Sequence, residues 1–177
     1  MFYALMIDAN RNGIGSHAYV EEPASYPANE IPCTQAQAQN PLAYQVVNGQ
    51  IVERLSYAKT AQIALLQSAY QKAINAPVTF TNAAGVTSTY PSGDTILITG
   101  QKAKSLLAEV ISAGSAAWTL GKWLDTNNVA QTFTFADLEG LAGAMEAALT
   151  VDWTDLVTKI AEVNAATTVS AVQAIVW

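Results

Sequence analysis

Phe133-Thr134-Phe135-Ala136-Asp137-Leu138-Glu139-Gly140-Leu141-Ala142 is the stretch in which the chain changes period. Val129 to Phe133 reads as the returning strand of a hairpin. Thr134 then stands as a helix cap, with Asp137 three residues on as a shortened capping box. Leu138, Leu141, Met145 and Leu149 follow at three-four spacing, which puts them on one helical face. A strand running into a capped amphipathic helix sets the class: α+β, with short hairpins packed on helices.

The same alternation of hairpin and helix extends in both directions. Upstream, Trp118, Leu120 and Trp123-Leu124 lead into the turn Asp125-Thr126-Asn127-Asn128, giving a hairpin over 117–134. Before it, Asp94 is positioned to cap a helix to about residue 112, with Ile96, Ala103, Leu107 and Val110 on one face and Gly114 at its end. Gly100 inside that helix costs about 1 kcal/mol against Ala. Val78 to Tyr90 reads as another hairpin, turning at Asn82-Ala83-Ala84-Gly85. Ile63, Leu66, Tyr70 and Ala73 mark a helix running from residue 54 to Pro77. Downstream, Trp153, Leu156, Ile160 and Val163 define a separate helix over 151–164, and Thr168 caps a short last helix with Val169, Val172 and Val176 facing inward.

The first third is different. Phe2 to Ile7 is a strand, ended by Asp8-Ala9-Asn10-Arg11-Asn12-Gly13. Pro23, Pro27, Pro32 and Pro41 make 22–43 a traverse over the surface, because proline removes backbone donors. Tyr44 to Val52 is a tight hairpin, since Asn48-Gly49 tolerates the positive φ of a two-residue turn. The expected organisation is therefore a small extended or β region at 1–53 and a helical domain with short hairpins at 54–177. The first region either packs on the second or forms a partner-binding arm.

Composition narrows the function. Only 12% of the 177 residues are charged and 51% are hydrophobic, about half the charge of an average domain. Residues 1–122 balance seven acids with seven bases; 123–177 hold seven acids and Lys159 alone. Nucleic-acid binding, which needs clustered bases, is not expected. No run approaches the ~20 apolar residues of a membrane helix, and Met1 to Ala9 carries Asp8 with no basic flank, unlike a signal peptide. A soluble protein made in a cytoplasm is expected.

Candidate chemistry is sparse. Cys33 is the single cysteine and His17 the single histidine. A nucleophilic Cys33 would have to recruit His17; a buried apolar thiol is the simpler reading. Asp8 to Gly13 copies the first half of a calcium loop, but Tyr19 stands where the bidentate carboxylate belongs, so a turn between strands is expected. His17, Glu21 and Glu22 lack the convergence a metal needs and read as an edge-strand cluster. Asp137 and Glu139 cannot share a helix face; Asp152 and Asp155 can, but near a helix start they favour the dipole. Trp118, Trp123 and Trp153 fall at core or partly buried positions; Trp177 is suited either to anchoring an interface or to closing the core beneath the last helix, and the core is favoured. No catalytic residue, cofactor or metal site is expected, and no enzymatic activity.

Residues 57–177 resemble a domain that recurs at the C-terminus of bacteriophage tail proteins, including tail-fibre assembly proteins. The resemblance lies in Lys59 to Ile63, in Tyr70-Gln71-Lys72-Ala73-Ile74-Asn75-Ala76-Pro77-Val78-Thr79-Phe80, in Thr89-Tyr90, and in Trp123 before its turn. It continues in Phe133 to Ala142 and in Ala165-Ala166-Thr167-Thr168-Val169-Ser170-Ala171-Val172-Gln173-Ala174-Ile175. It implies a non-enzymatic, tail-fibre-associated protein whose partner is a phage tail-fibre or tail protein. An assembly factor working in the host cytoplasm is expected first. The alternative is a structural virion subunit of the tail tip, baseplate or fibre, retained in the virion tail. Homo-oligomerisation is left open; nucleic acid and membrane are not expected as partners.

Overall fold

A computed structural model describes residues 1–97 and 99–177. The class is α+β; the described residues form four small antiparallel sheets and a long C-terminal helix. The chain divides into two compact units: Met1–Leu65 with Lys159–Val176, and Leu66–Thr158 with Trp177. The boundary expected at 53/54 marks the change from strand to helix, whereas the units exchange at 65/66, inside a helix.

In the first unit, β1 (Phe2–Ile7) lies between β2 (Gly13–Tyr19) and β3 (Glu30–Cys33). The Asp8 to Gly13 segment is the turn between β1 and β2, and Arg11 within it takes φ 62°. β3 lies inside the stretch read as a surface traverse. Pro32 is tolerated there because β3 is an edge strand, paired on one side only. A short helix α1 (Gln35–Gln39) follows, closed by a capping box between Thr34 and Gln37. Leu5 and Ile7 of β1 pack with Val46 of β4 (Tyr44–Val47), which pairs with β5 (Gln50–Glu53). The β4–β5 turn is the expected one, with Asn48 at φ 51° and Gly49 at 78°. α2 (Leu55–Ala73) begins in this unit; Gln62 donates to the Ile175 carbonyl at 2.6 Å and Lys59 to that of Asn164 at 2.6 Å.

The second unit holds the rest of α2 and the hairpins β6–β7 (Val78–Thr81, Thr87–Tyr90) and β8–β9 (Lys122–Leu124, Ala130–Thr132). It also holds α3 (Ala103–Ala113) and most of α4 (Phe135–Ala165). Its core gathers Tyr90, Leu107, Trp123, Phe133, Leu138, Leu141 and Met145. Tyr90, Phe80 and Phe133 meet edge-on or tilted, with centroids 5.2–6.4 Å apart.

Three expectations are corrected. The helix expected from Asp94 starts at Ala103 instead: Gly100 has φ 80°, which no right-handed helix permits, and the Asp94 carboxylate pairs with Lys102 at 2.9 Å. Ile98, inside that expected helix, lies outside the described residues. The helices expected at 134–149 and 151–164 are one, α4. No glycine or proline separates them, and the Thr150 hydroxyl bonds back to the Glu146 carbonyl at 2.9 Å. Leu138 and Leu156, like Met145 and Val163, are 18 residues apart, five full turns, and all four are buried, so each pair is in phase along a single helix. Asp152 and Asp155 consequently lie mid-helix, away from any helix start. Third, Trp153 is 55% exposed, Trp177 40% and Val176 63%, none of them core.

Gly93 shows how tightly the second unit is closed. Its φ is +57°, and a Cβ there would sit 2.4 Å from the Ile74 carbonyl oxygen and 2.5 Å from Asn75 Oδ1, which accepts from the Asp94 N–H. Gly93→Ala combines a left-handed backbone with a backbone clash. It should cost about 3 kcal/mol, read as a lowered urea midpoint at unchanged slope.

Candidate functional site

Two places bring functional side chains together, one in each unit. The larger is an apolar groove of about 580 Å³ in the second unit, a size that suits a ligand or a peptide side-chain cluster. One wall is the α3 face carrying Leu106 and Val110; the other is Trp118, Leu120 and β8. Thr95, Ile96 and Leu97 form part of its rim. Trp118 and Trp123 lie 6.2 Å apart, and Trp118 Nε1 donates to the Phe133 carbonyl at 3.0 Å, which fixes the indole. Ile96 is 62% and Leu120 72% exposed.

The groove corner is held by Asp125, which is buried. Its Oδ1 accepts from the N–H groups of Asn127 and Val129, both at 2.9 Å. Its Oδ2 accepts from Ser88 Oγ at 2.9 Å and Gln131 Nε2 at 3.1 Å. The Val129 N–H, then the Gln131, Ser88 and Asn127 donors, hold this carboxyl below the usual carboxylate range against the opposing effect of burial. Four donors occupy both oxygens, so Asp125 braces the β8–β9 turn against β7 and is not a free base.

Asp137 does the same at the start of α4. Thr134 donates to its Oδ2 from both backbone and hydroxyl at 2.7 Å, and the Ala83 N–H donates to its Oδ1 at 2.7 Å. Burial opposes ionisation of this group, but those bonds outweigh it and lower its pKa. Asn82 completes the set, donating to the Thr132 carbonyl at 2.9 Å and accepting from the Val86 N–H at 2.9 Å. The expected Thr134–Asp137 cap is therefore present and extends into a tie between hairpin and helix. Burial, and the nearby carboxylates of Asp125 and Asp137, push the Tyr90 phenol up.

The second place is on β2 and β3. His17 Nδ1 lies 2.6 Å from Glu30 Oε1, and the Tyr19 hydroxyl donates to the other oxygen. The Glu30 side chain is 3% exposed and that of His17 53%. The bond to Glu30 raises the Tyr19 pKa. His17 thus meets Glu30 across the sheet, a partner not among the Glu21 and Glu22 considered from sequence. The alternation Glu30-Ile31-Pro32-Cys33 carried the signal, because it sets Glu30 opposite the apolar Ile31 and Cys33. Register also parts Cys33 from His17: Tyr3 faces Cys33, and its neighbour Ala4 faces His17, so their side chains lie on opposite faces. Burial pushes the Cys33 thiol up. Asp8 holds the backbone N–H of Asn12 at 2.8 Å and its side-chain amide at 3.2 Å, as the turn reading requires. Among the described residues no three His, Cys, Asp or Glu side chains converge on one point, and no helix is long and apolar enough to cross a membrane.

Comparison with protein-family models, curated proteins and solved structures found no match to this chain.

Two outcomes follow from this geometry. Asp125 and Asp137 have folded pKa values below the unfolded value near 4. Their contribution is therefore complete above pH ~5 and is lost as pH falls through the folded values. Urea midpoints should drop below pH ~4, and Asp125→Asn should flatten that drop. At neutral pH the same variant should cost about 2 kcal/mol, because an amide cannot accept from all four donors. Separately, iodoacetamide should alkylate Cys33 more slowly than a free thiol at neutral pH; a faster rate would restore the nucleophile reading.

Proposed function

We propose that this chain is a non-enzymatic phage tail-fibre assembly factor that holds an apolar, extended stretch of fibre in the groove beside β8. The observation that carries the reading is the groove itself, with Leu120 and Ile96 exposed at its lip and two indoles in its wall. Apolar side chains left open around a concave site mark a place for a partner. A short strand bordering such a groove suits an extended segment, whose alternate side chains enter the hollow while its backbone lies along the strand. The resemblance of residues 57–177 to a domain of phage tail proteins supplies the partner class. The work would be done in the host cytoplasm, while the fibre is folding. His17 fits this reading as a structural residue, since its Nδ1 is engaged by a buried carboxylate and Cys33 is on the opposite face.

The test is co-expression with the fibre. Ile96→Asp combined with Leu120→Asp places charge at exposed positions, so folding should be kept. Co-purifying soluble fibre should fall about tenfold or more, because a desolvated charge opposes an apolar partner. Unchanged recovery would remove the groove from the account. Mass spectrometry of purified particles, with lysate as control, separates the two roles. An assembly factor should be abundant in lysate and missing from particles. A fixed ratio to fibre subunits would make it a structural component instead.

A further inference from the structure

One surface serves neither the core nor the groove. Trp153 and Trp177 each pack edge-on against Tyr70, with centroids 5.9 and 6.2 Å away and planes inclined by 63° and 62°. One half-buried phenol thus braces two indoles that remain 55% and 40% exposed. Val157, one turn beyond Trp153 on the same side of α4, is 49% exposed. Exposed indoles held in place by packing are unusual for a surface that only faces water.

Charge indicates what would cover them. α4 carries Asp137, Glu139, Glu146, Asp152, Asp155 and Glu162 against Lys159 alone. The Lys159 ammonium is already engaged, donating to the Val176 carbonyl at 2.5 Å. Seven-residue spacing sets Glu139 and Glu146 on the side of α4 that carries Trp153, and Asp152 adjoins it. Glu146 has one counter-ion, Lys104 at 3.7 Å, with both groups more than half exposed. A pair that open is screened and leaves most of the negative field in place.

We propose that this surface receives a basic segment of a partner protein, with an Arg or Lys side chain laid over an indole face and drawn in by the acids of α4. Arg suits the site better, because its planar guanidinium stacks on an aromatic ring. A second copy of this chain is a poor occupant. Of its eight bases, Arg54, Lys59, Lys102, Lys104, Lys122 and Lys159 already have hydrogen-bond or ion-pair partners. Among the described residues only Arg11 and Lys72 do not. The proposal is independent of the groove: Ile96→Asp and Leu120→Asp should leave it unaffected, so either can fail without the other.

The test is an NMR titration of the full chain, following the indole Nε1–H signals of its four tryptophans. The probe is a short Gly-Ser-Arg repeat peptide, with its neutral citrulline counterpart as control. The Trp153 and Trp177 signals should shift saturably with the Arg peptide and far less with citrulline, while Trp118 and Trp123 stay in place. Trp153→Leu should weaken binding about three- to fivefold, with the Trp118 and Trp123 signals reporting an intact fold. Glu146→Gln with Asp152→Asn should weaken it similarly without touching any aromatic ring, and should reduce its salt dependence. Equal shifts with both peptides, or no shift, would overturn the proposal. So would shifts produced by raising the protein concentration alone, which would assign the surface to self-association.

Discussion

The second unit depends on carboxylates buried where hairpins meet. Its strands are three or four residues long, and an isolated two-stranded hairpin of that length has little stability in water. Asp125 joins the β8–β9 turn to Ser88 on β7, and Asp137 joins the α4 start to the β6–β7 turn. Each accepts bonds from backbone donors of a turn or helix start. A bond to an ionised acceptor contributes roughly 1.5–3 kcal/mol, more than a neutral one. Such groups therefore fix the positions of the hairpins, and the apolar core of Tyr90, Phe133 and Leu138 fills the space they define.

The groove follows from that arrangement. Asp125 pins the end of β8, Phe133 accepts the Trp118 indole, and α3 supplies the facing wall. Because the frame is held by polar ties, the unit can leave Ile96 and Leu120 exposed without unfolding. Low overall charge reads differently in this light. The few charges are concentrated: acids along α4, carboxylates at hairpin junctions, and bases mostly tied to carbonyls or acids. What remains open is an apolar groove and an acidic aromatic face, two surfaces of distinct chemistry in one unit.

Much of this was legible in the residues. Asn48-Gly49 gave the β4–β5 turn because only its φ values fit, and Thr134 with Asp137 gave the start of α4. The stripe Ile63, Leu66, Tyr70 marked α2 correctly. The failures share a cause: local signals were outweighed by tertiary partners. Asp94 looked like a cap, but Lys102 takes its carboxylate and Gly100 turns the chain the other way. Thr150-Val151 looked like a break, yet nothing there forces one. Pro32 argued against a strand, yet an edge position needs no donor from it. The groove was not legible at all, since its lining is gathered from separate segments between Pro77 and Asn128. For the His17–Glu30 pair, alternation along β3 could show only which face Glu30 takes; the pairing itself is set by the β1 register.

We have proposed that the groove beside β8 is the surface that meets a tail fibre. Hydrogen-exchange mass spectrometry of the full chain, alone and in the presence of a tail-fibre protein it co-purifies with, addresses this directly. Exchange should slow chiefly in residues 118–126, on and around β8, when the fibre is bound. Unchanged exchange across that segment in a verified complex would place the fibre contact elsewhere.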